Sequence, residues 1–241
     1  MLFNSFEFLF IFLPILLILY YFIIAINKSI ANKAIIYLLC IFSLLFYSYW
    51  KKEYFFLIMF SIIINFLLSK AILNFSRKKI FLIIGIIFNI SLLSYFKYFN
   101  FIISNFNEFF YYNIHFKNII LPLAISFFTF QQIAFLVDCY RGLNAKYSFL
   151  NYILFVTFFP QLIAGPIVHH AQMMPQFAKL TIKKNLIFKN FLMGSSIFII
   201  GLFKKIIFAD NMALIVDPVY DANNLNLHLS VIESWIATLA Y

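Results

Sequence analysis

The sequence predicts an all-α polytopic membrane protein of about six to seven membrane segments plus one re-entrant segment, and three observations predict it. Of 241 residues, 65% are hydrophobic and 11% charged, with a mean hydropathy of +0.97. So few charges cannot clothe a soluble domain. The apolar residues gather in runs long enough to cross a hydrocarbon core of about 30 Å at about 1.5 Å per helical residue. Short segments rich in Lys and Arg separate these runs, so the net charge of +10 reads as a topology signal. The expected partner is the lipid bilayer, and nucleic acid is not expected. The 36 Phe and 15 Tyr beside only 5 Gly fit an AT-rich coding sequence and carry little functional information.

Phe8 to Ile26 is 19 residues without a formal charge, the first span, with Pro14 as a kink site. Glu7 stands before it with no basic residue and no small-x-small site after it, which predicts an uncleaved span and not a signal peptide. Ala34 to Trp50 is the second span and closes on Tyr47, Tyr49 and Trp50, rings suited to the membrane interface. The third runs from Tyr54 to Ser69, with an extension to Phe75, and the fourth from Ile80 to Phe96. Each holds one amide, Asn65 and Asn89, for which an interhelical hydrogen bond is the expectation, because hydrocarbon offers an amide no other partner. Lys97 to Lys117 is aromatic but dotted with Asn, Ser, Glu108 and His115, and it reads as an interfacial amphipathic helix or aromatic loop.

Asn118 to Val137 is the fifth span, with Pro122 in its first turn and Gln131 and Gln132 deep inside. Adjacent glutamines point about 100° apart on a helix, so at least one faces protein or water. Asp138 and Arg141 follow at i, i+3, spacing that permits a local ion pair or, alternatively, a substrate contact, and Gly142 is a C-cap candidate. Tyr152 to Phe177 is an apolar run broken by Pro160, Gln161, Gly165 and Pro166 before His169 and His170. Such punctuation at membrane depth requires backbone buried in protein or lining a wet cavity, so the stretch is read as re-entrant. Asn190 to Phe203 and Ile206 to Val216 are further apolar segments, interrupted at Lys204 and Lys205, with Asp210 near enough to pair with a lysine across a turn. Asp217 to Asn226 is expected to be a polar loop around Pro218, and Leu229 to Tyr241 the start of another element, with Glu233 in it.

With the N-terminus outside, inner segments hold Lys28, Lys33, Lys70, Arg77, Lys78, Lys79, Arg141 and Lys146, and outer ones hold Lys51, Lys52, Lys97 and Lys117, eight against four. A re-entrant path returns Lys179, Lys183, Lys184 and Lys189 to the inner side as well. Cys40 and Cys139 are read as packed thiols, and no metal site is expected: adjacent histidines diverge, and no CxxC, HExxH or carboxylate cluster accompanies them.

Four stretches together resemble the membrane-bound O-acyltransferase (MBOAT) family, in its bacterial branch that O-acetylates alginate or peptidoglycan. They are MLFNSFEFLFIFLP at the N-terminus, ISFFTFQQIAFLVDCYRG over 125–142, YILFVTFFPQLIAGPIVHHAQMMPQF over 152–177, and GLFKKIIFADNMA over 201–213. The resemblance implies that residues 1–241 are the N-terminal part of a single helical membrane domain built around a tunnel. Acetyl-CoA or another acyl thioester is then the donor, with no bound cofactor; the acceptor is a hydroxyl of peptidoglycan or an alginate-like glycan. The setting is the bacterial inner membrane, and a periplasmic acetyltransferase is the implied partner. The family's histidine base belongs to a motif expected beyond Tyr241, so none of His115, His169, His170 or His228 is assigned as catalytic. Substrate-tunnel candidates are Gln131, Asp138, Arg141, Pro160, Gln161, Gly165, Pro166 and His169. A transporter-like protein and a non-catalytic membrane scaffold are the alternatives, the first weakened by the lack of a second interrupted span.

Overall fold

Apolar runs bounded by charged residues become helices because a chain in lipid must pair its own backbone groups. The computed structural model describes residues 1–26, 28–111, 119–143, 148–166, 170–178, 187–224 and 229–241, and holds no strand among them. Five helical stretches are long and apolar enough to cross a membrane: Phe8–Ala25, Asn32–Trp50, Lys52–Asn74, Lys78–Phe110 and Ile187–Ala222. The chain is a multi-pass membrane protein. Two compact units divide it, one of Ile15–Leu180 with Met1 and one of Leu2–Pro14 with Thr181–Tyr241.

The first unit contains most of α1 (a π turn Phe8–Phe12 leading into Leu13–Ile26), then α2 (Lys28–Trp50), α3 (Lys52–Asn74), α4 (Lys78–Leu93), α5 (Phe99–Phe110), α6 (Ile125–Tyr140), α7 (Phe149–Thr157), α8 (Phe159–Ala164) and α9 (His170–Ala178). Helices α3, α4 and α6 pack on one another, and α7 packs on α2, α3 and α6. Ile58, Ile62, Phe128, Leu136, Tyr152 and Leu154 fill the space between them. Close approach of α4 and α6 is made at Gly85, where an added Cβ would stand 2.4 Å from Leu136 Cδ1. The two asparagines meet as expected: Asn89 Nδ2 donates to Asn65 Oδ1 at 2.6 Å, and Asn65 Nδ2 returns a bond to Asn89 Oδ1 at 3.2 Å. Each amide also donates to its own helix, to Ser61 O and Gly85 O, so neither donor is left bare in an apolar interior.

Several boundaries differ from those the sequence predicts. The π turn Ser94–Tyr98 carries α4 straight into α5, so residues 97–110 are helical, one of the two forms expected, but continuous with α4. That helix is 33 residues, on the order of 50 Å, more than a bilayer core needs. The expected fifth span at Asn118 starts as a helix only at Ile125. Pro122 lies before it, and Ala124, at φ 55°, turns the chain through the left-handed region. The resulting α6 has 16 residues.

In the second unit α10 (Ile187–Phe203) passes through a π turn at Lys204–Ala209 into α11 (Asp210–Asn224), so the lysines do not interrupt the helix. The wider π turn brings residues five apart alongside each other, and Lys205 accordingly pairs with Asp210. Pro218 is inside α11, where a polar loop was expected. The last helix, α12 (Val231–Ala240), starts with a capping box: the Ser230 hydroxyl accepts from Glu233 N at 3.2 Å and a Glu233 carboxylate oxygen accepts from Ser230 N at 2.8 Å. Glu233 is thereby explained as a cap and not as a buried acid.

Candidate functional site

The interrupted stretch is three short helices, and each break between described residues has a local cause. A continuous helix would need a Pro160 N–H and would press its ring on the carbonyl four residues earlier. The chain instead stops α7 at Thr157 and restarts with Pro160 in the first turn of α8. Phe158 N bonds Leu154 O at 2.9 Å on one side of the break, and Leu162 N bonds Phe158 O at 2.9 Å on the other. At the far end Gly165 is extended, φ −85° and ψ 157°, and a Cβ there would lie 2.6 Å from Gln161 Cα. Pro166 follows, and its carbonyl accepts from Gln161 Nε2 at 3.3 Å.

Helix α6 supplies the opposite wall. Its C-terminus is closed by a Schellman motif in which Gly142, at φ 74°, donates to Cys139 O at 3.2 Å and Leu143 N donates to Asp138 O at 3.0 Å. Just inside that cap the Asp138 carboxylate turns inward. Its Oδ2 is 2.9 Å from Nδ1 of His170, the first residue of α9, and both side chains are nearly closed to solvent. Phe135 and Phe155 stand edge-on to the imidazole, with ring centroids at 5.4 and 6.3 Å. A polar side chain in such a place needs a hydrogen-bonding partner. The Asp138–His170 contact supplies one and holds the ring's orientation.

Phe135 also stacks on Tyr152 at 4.5 Å, and from Tyr152 a polar chain runs deeper. Tyr152 Oη donates to Gln132 Oε1 at 3.3 Å, and Gln132 Nε2 donates to Ser61 Oγ at 3.1 Å, tying α7, α6 and α3 together. Gln131 behaves differently. Both of its carboxamide atoms are buried with no hydrogen-bond partner among the described residues. Gln131, Phe135 and Asp138 are at i, i+4 and i+7, one stripe of α6.

A family model for the membrane-bound O-acyltransferases (MBOAT) matches residues 140–241. Over all of the chain, a protein named peptidoglycan O-acetyltransferase from Helicobacter pylori is 40% identical across 271 residues, which cover 50% of that relative. The chain is similar to the MBOAT family. A probable alginate O-acetylase AlgI from Pseudomonas aeruginosa is 32% identical over 250 residues, again 100% of this chain and 45% of the relative. One from Pseudomonas syringae is 30% identical over a similar stretch. The chain thus spans about half the length of the curated relatives it matches. No solved structure matches it.

The site residues named from sequence are partly brought together. Asp138 and Gln131 share the buried stripe of α6, and Gln161 is buried on α8 with Oε1 lacking a hydrogen-bond partner among the described residues. Pro160, Gly165 and Pro166 shape the breaks. Arg141 is exposed beside the cap, and no Asp138–Arg141 ion pair forms among the described residues; the expected i, i+3 partner is replaced by His170. The reason is direction: Arg141 lies at the C-cap, outside the last helical turn, whereas Asp138 points into the core. His169 lies outside the described residues, as do His115 and His228. Sequence reading missed His170, Gln132 as a network member, Tyr152 and Ser61. An acid at the end of an apolar span signals a distant partner, and a search of the later chain for one is the signal that could have found His170.

Proposed function

We propose that this protein serves a membrane O-acetyltransferase that takes acetyl groups from a cytoplasmic thioester, acetyl-CoA or another acyl thioester, and passes them to hydroxyls of a cell-envelope polysaccharide. The observation that carries this reading is 40% identity along 100% of the chain to a protein named peptidoglycan O-acetyltransferase. In this reading peptidoglycan is the first acceptor and an alginate-like glycan the second, the latter supported by the 32% shared with a probable alginate O-acetylase. A periplasmic acetyltransferase completing the transfer is part of the same reading.

On this reading α6 to α9 are the re-entrant wall of an acyl tunnel in the bacterial inner membrane, with the N-terminus outside. The hydroxyl to be acylated is a poor nucleophile at neutral pH and needs a positioned base. That base is assigned to none of the four histidines of this chain. What these residues supply is positioning: the Gln131 carboxamide offers one donor and one acceptor, and the Asp138–His170 pair holds α9 against α6.

The test of the donor uses inside-out membrane vesicles from cells carrying the gene for this protein, given acetyl-CoA labelled in its acetyl group. Label should enter an alkali-labile pool only when the gene is present. Equal incorporation with and without it would refute the reading. Thiol labelling of single-cysteine replacements at Ser148 and Lys179 tests the path: both should react from the same face, and reaction from opposite faces would make the segment a crossing.

A further inference from the structure

A second site stands apart from the buried pair, at the turn joining α3 to α4. Ser76, Arg77, Lys78, Lys79, Ile80 and Tyr140 line a pocket of about 600 Å³. Its charge is of one sign. No acidic side chain lines it, and no ion pair involves Arg77, Lys78 or Lys79 among the described residues. These cations also lie at the start of α4. Arg77 is the N-cap of α4 and makes no side-chain capping bond, so the positive end of the helix dipole points into the same space as the three side chains. A carboxylate would ordinarily be found at this position.

The surface below the pocket is of a different character. Ile80, Ile84 and Ile87 are all exposed and stand at i, i+4 and i+7, so an apolar stripe starts at the pocket's rim and runs down α4. Phe75 is exposed on the other side of the turn. A cationic pocket at a helix N-terminus without a side-chain cap, above a strip of exposed isoleucine, matches a molecule with an anionic head and hydrocarbon tails.

We propose that this pocket binds the phosphodiester headgroup of an anionic phospholipid, with its acyl chains along Ile80, Ile84 and Ile87. Arg77 would grip two phosphate oxygens through its planar fork while Lys78 and Lys79 act as point charges. The Tyr140 hydroxyl offers a further donor. Basic pockets beside membrane helices recognise anionic lipid in this way, each cation adding to the attraction near the surface. This assignment does not depend on the acyltransferase reading.

The experiment uses the full chain purified in zwitterionic detergent, with bound lipid counted by native mass spectrometry after adding phosphatidylglycerol, phosphatidylcholine or inorganic phosphate. The wild-type protein should retain phosphatidylglycerol over phosphatidylcholine by roughly tenfold or more. Arg77→Gln/Lys78→Gln/Lys79→Gln should remove that preference, while Lys51→Gln/Lys52→Gln, at the other end of α3, should keep it. Equal retention of the two lipids by the wild type overturns the proposal, and that arm needs no variant to fold. Undiminished preference in the triple variant overturns it too. Displacement of the lipid by millimolar inorganic phosphate would reduce the pocket to a simple anion site and would equally contradict a lipid seat.

Discussion

Asp138 Oδ2 and His170 Nδ1 meet at 2.9 Å across the gap between α6 and α9, inside a box of aromatic rings. Each side chain explains the other. Removing either one takes a close partner from the other inside an apolar enclosure, so Asp138→Asn and His170→Ala should each destabilise the protein, and the double variant should lose less than the sum. A coupling of roughly 0.5–3 kcal/mol is expected from a thermal-denaturation double-mutant cycle in detergent. Additive losses would mean that the contact contributes nothing of its own.

Neighbouring glutamines should behave in opposite ways. Gln132 is bonded to both Ser61 and Tyr152, so Gln132→Leu strands two buried hydroxyls and should cost about 1–3 kcal/mol. The Gln131 carboxamide is buried without a hydrogen-bond partner among the described residues, so Gln131→Leu should leave stability equal or higher. If Gln131 faces substrate, the same change lowers acetate incorporation in cells. A stability loss at Gln131 matching that at Gln132 would show that its amide is structurally engaged.

Two glycines are held by different forces. Gly142 has a positive φ of 74° and open space around it, so Gly142→Ala is opposed by backbone conformation alone, at about 1–2 kcal/mol. Gly165 has an ordinary φ but no room, since a Cβ there meets Gln161 Cα at 2.6 Å and Gln161 O at 2.8 Å. Gly165→Ala must therefore move backbone, and limited proteolysis should show new cleavage around α8 in that variant. Gly142→Ala should leave α8 protected.

The capping box of α12 gives a pH dependence with a defined sign. The backbone N–H of Ser230, and then its hydroxyl, bond the charged form of Glu233 and hold its carboxyl below its ordinary value of 4.5. A lowered folded value means that the contribution is complete above the ordinary pKa and fades as pH falls through the folded one. Amide exchange over 231–240, compared between wild type and Glu233→Gln, should differ at pH 7 and converge in acid. A constant difference across that range would remove Glu233 from the cap.

The sequence made the helical class readable because apolar runs and the charges between them report the same physical demand, pairing of backbone in lipid. Asn65 and Asn89 were legible for a related reason, an amide in hydrocarbon having few ways to be satisfied. Boundaries were harder. Lys97 and Lys204 look like interruptions in a string of letters, yet a π turn carries each helix past its lysine, and long side chains reach interfaces without ending a helix. The site was half legible: Asp138 and Gln131 stood out by polarity alone. Its partner choice was not, because i, i+3 spacing to Arg141 is visible in one dimension, whereas His170 comes near only after the breaks at Phe158 and Gly165 fold α9 back.

For the proposed role in acetyl transfer to the cell envelope, mild alkaline release of acetate from purified peptidoglycan is the most direct measurement. Deleting the gene should abolish the released acetate, restoring it should bring the acetate back, and restoring it as Gln131→Leu should give less at equal protein level. Unchanged acetate in the deletion strain, from peptidoglycan and from exopolysaccharide alike, would contradict the account.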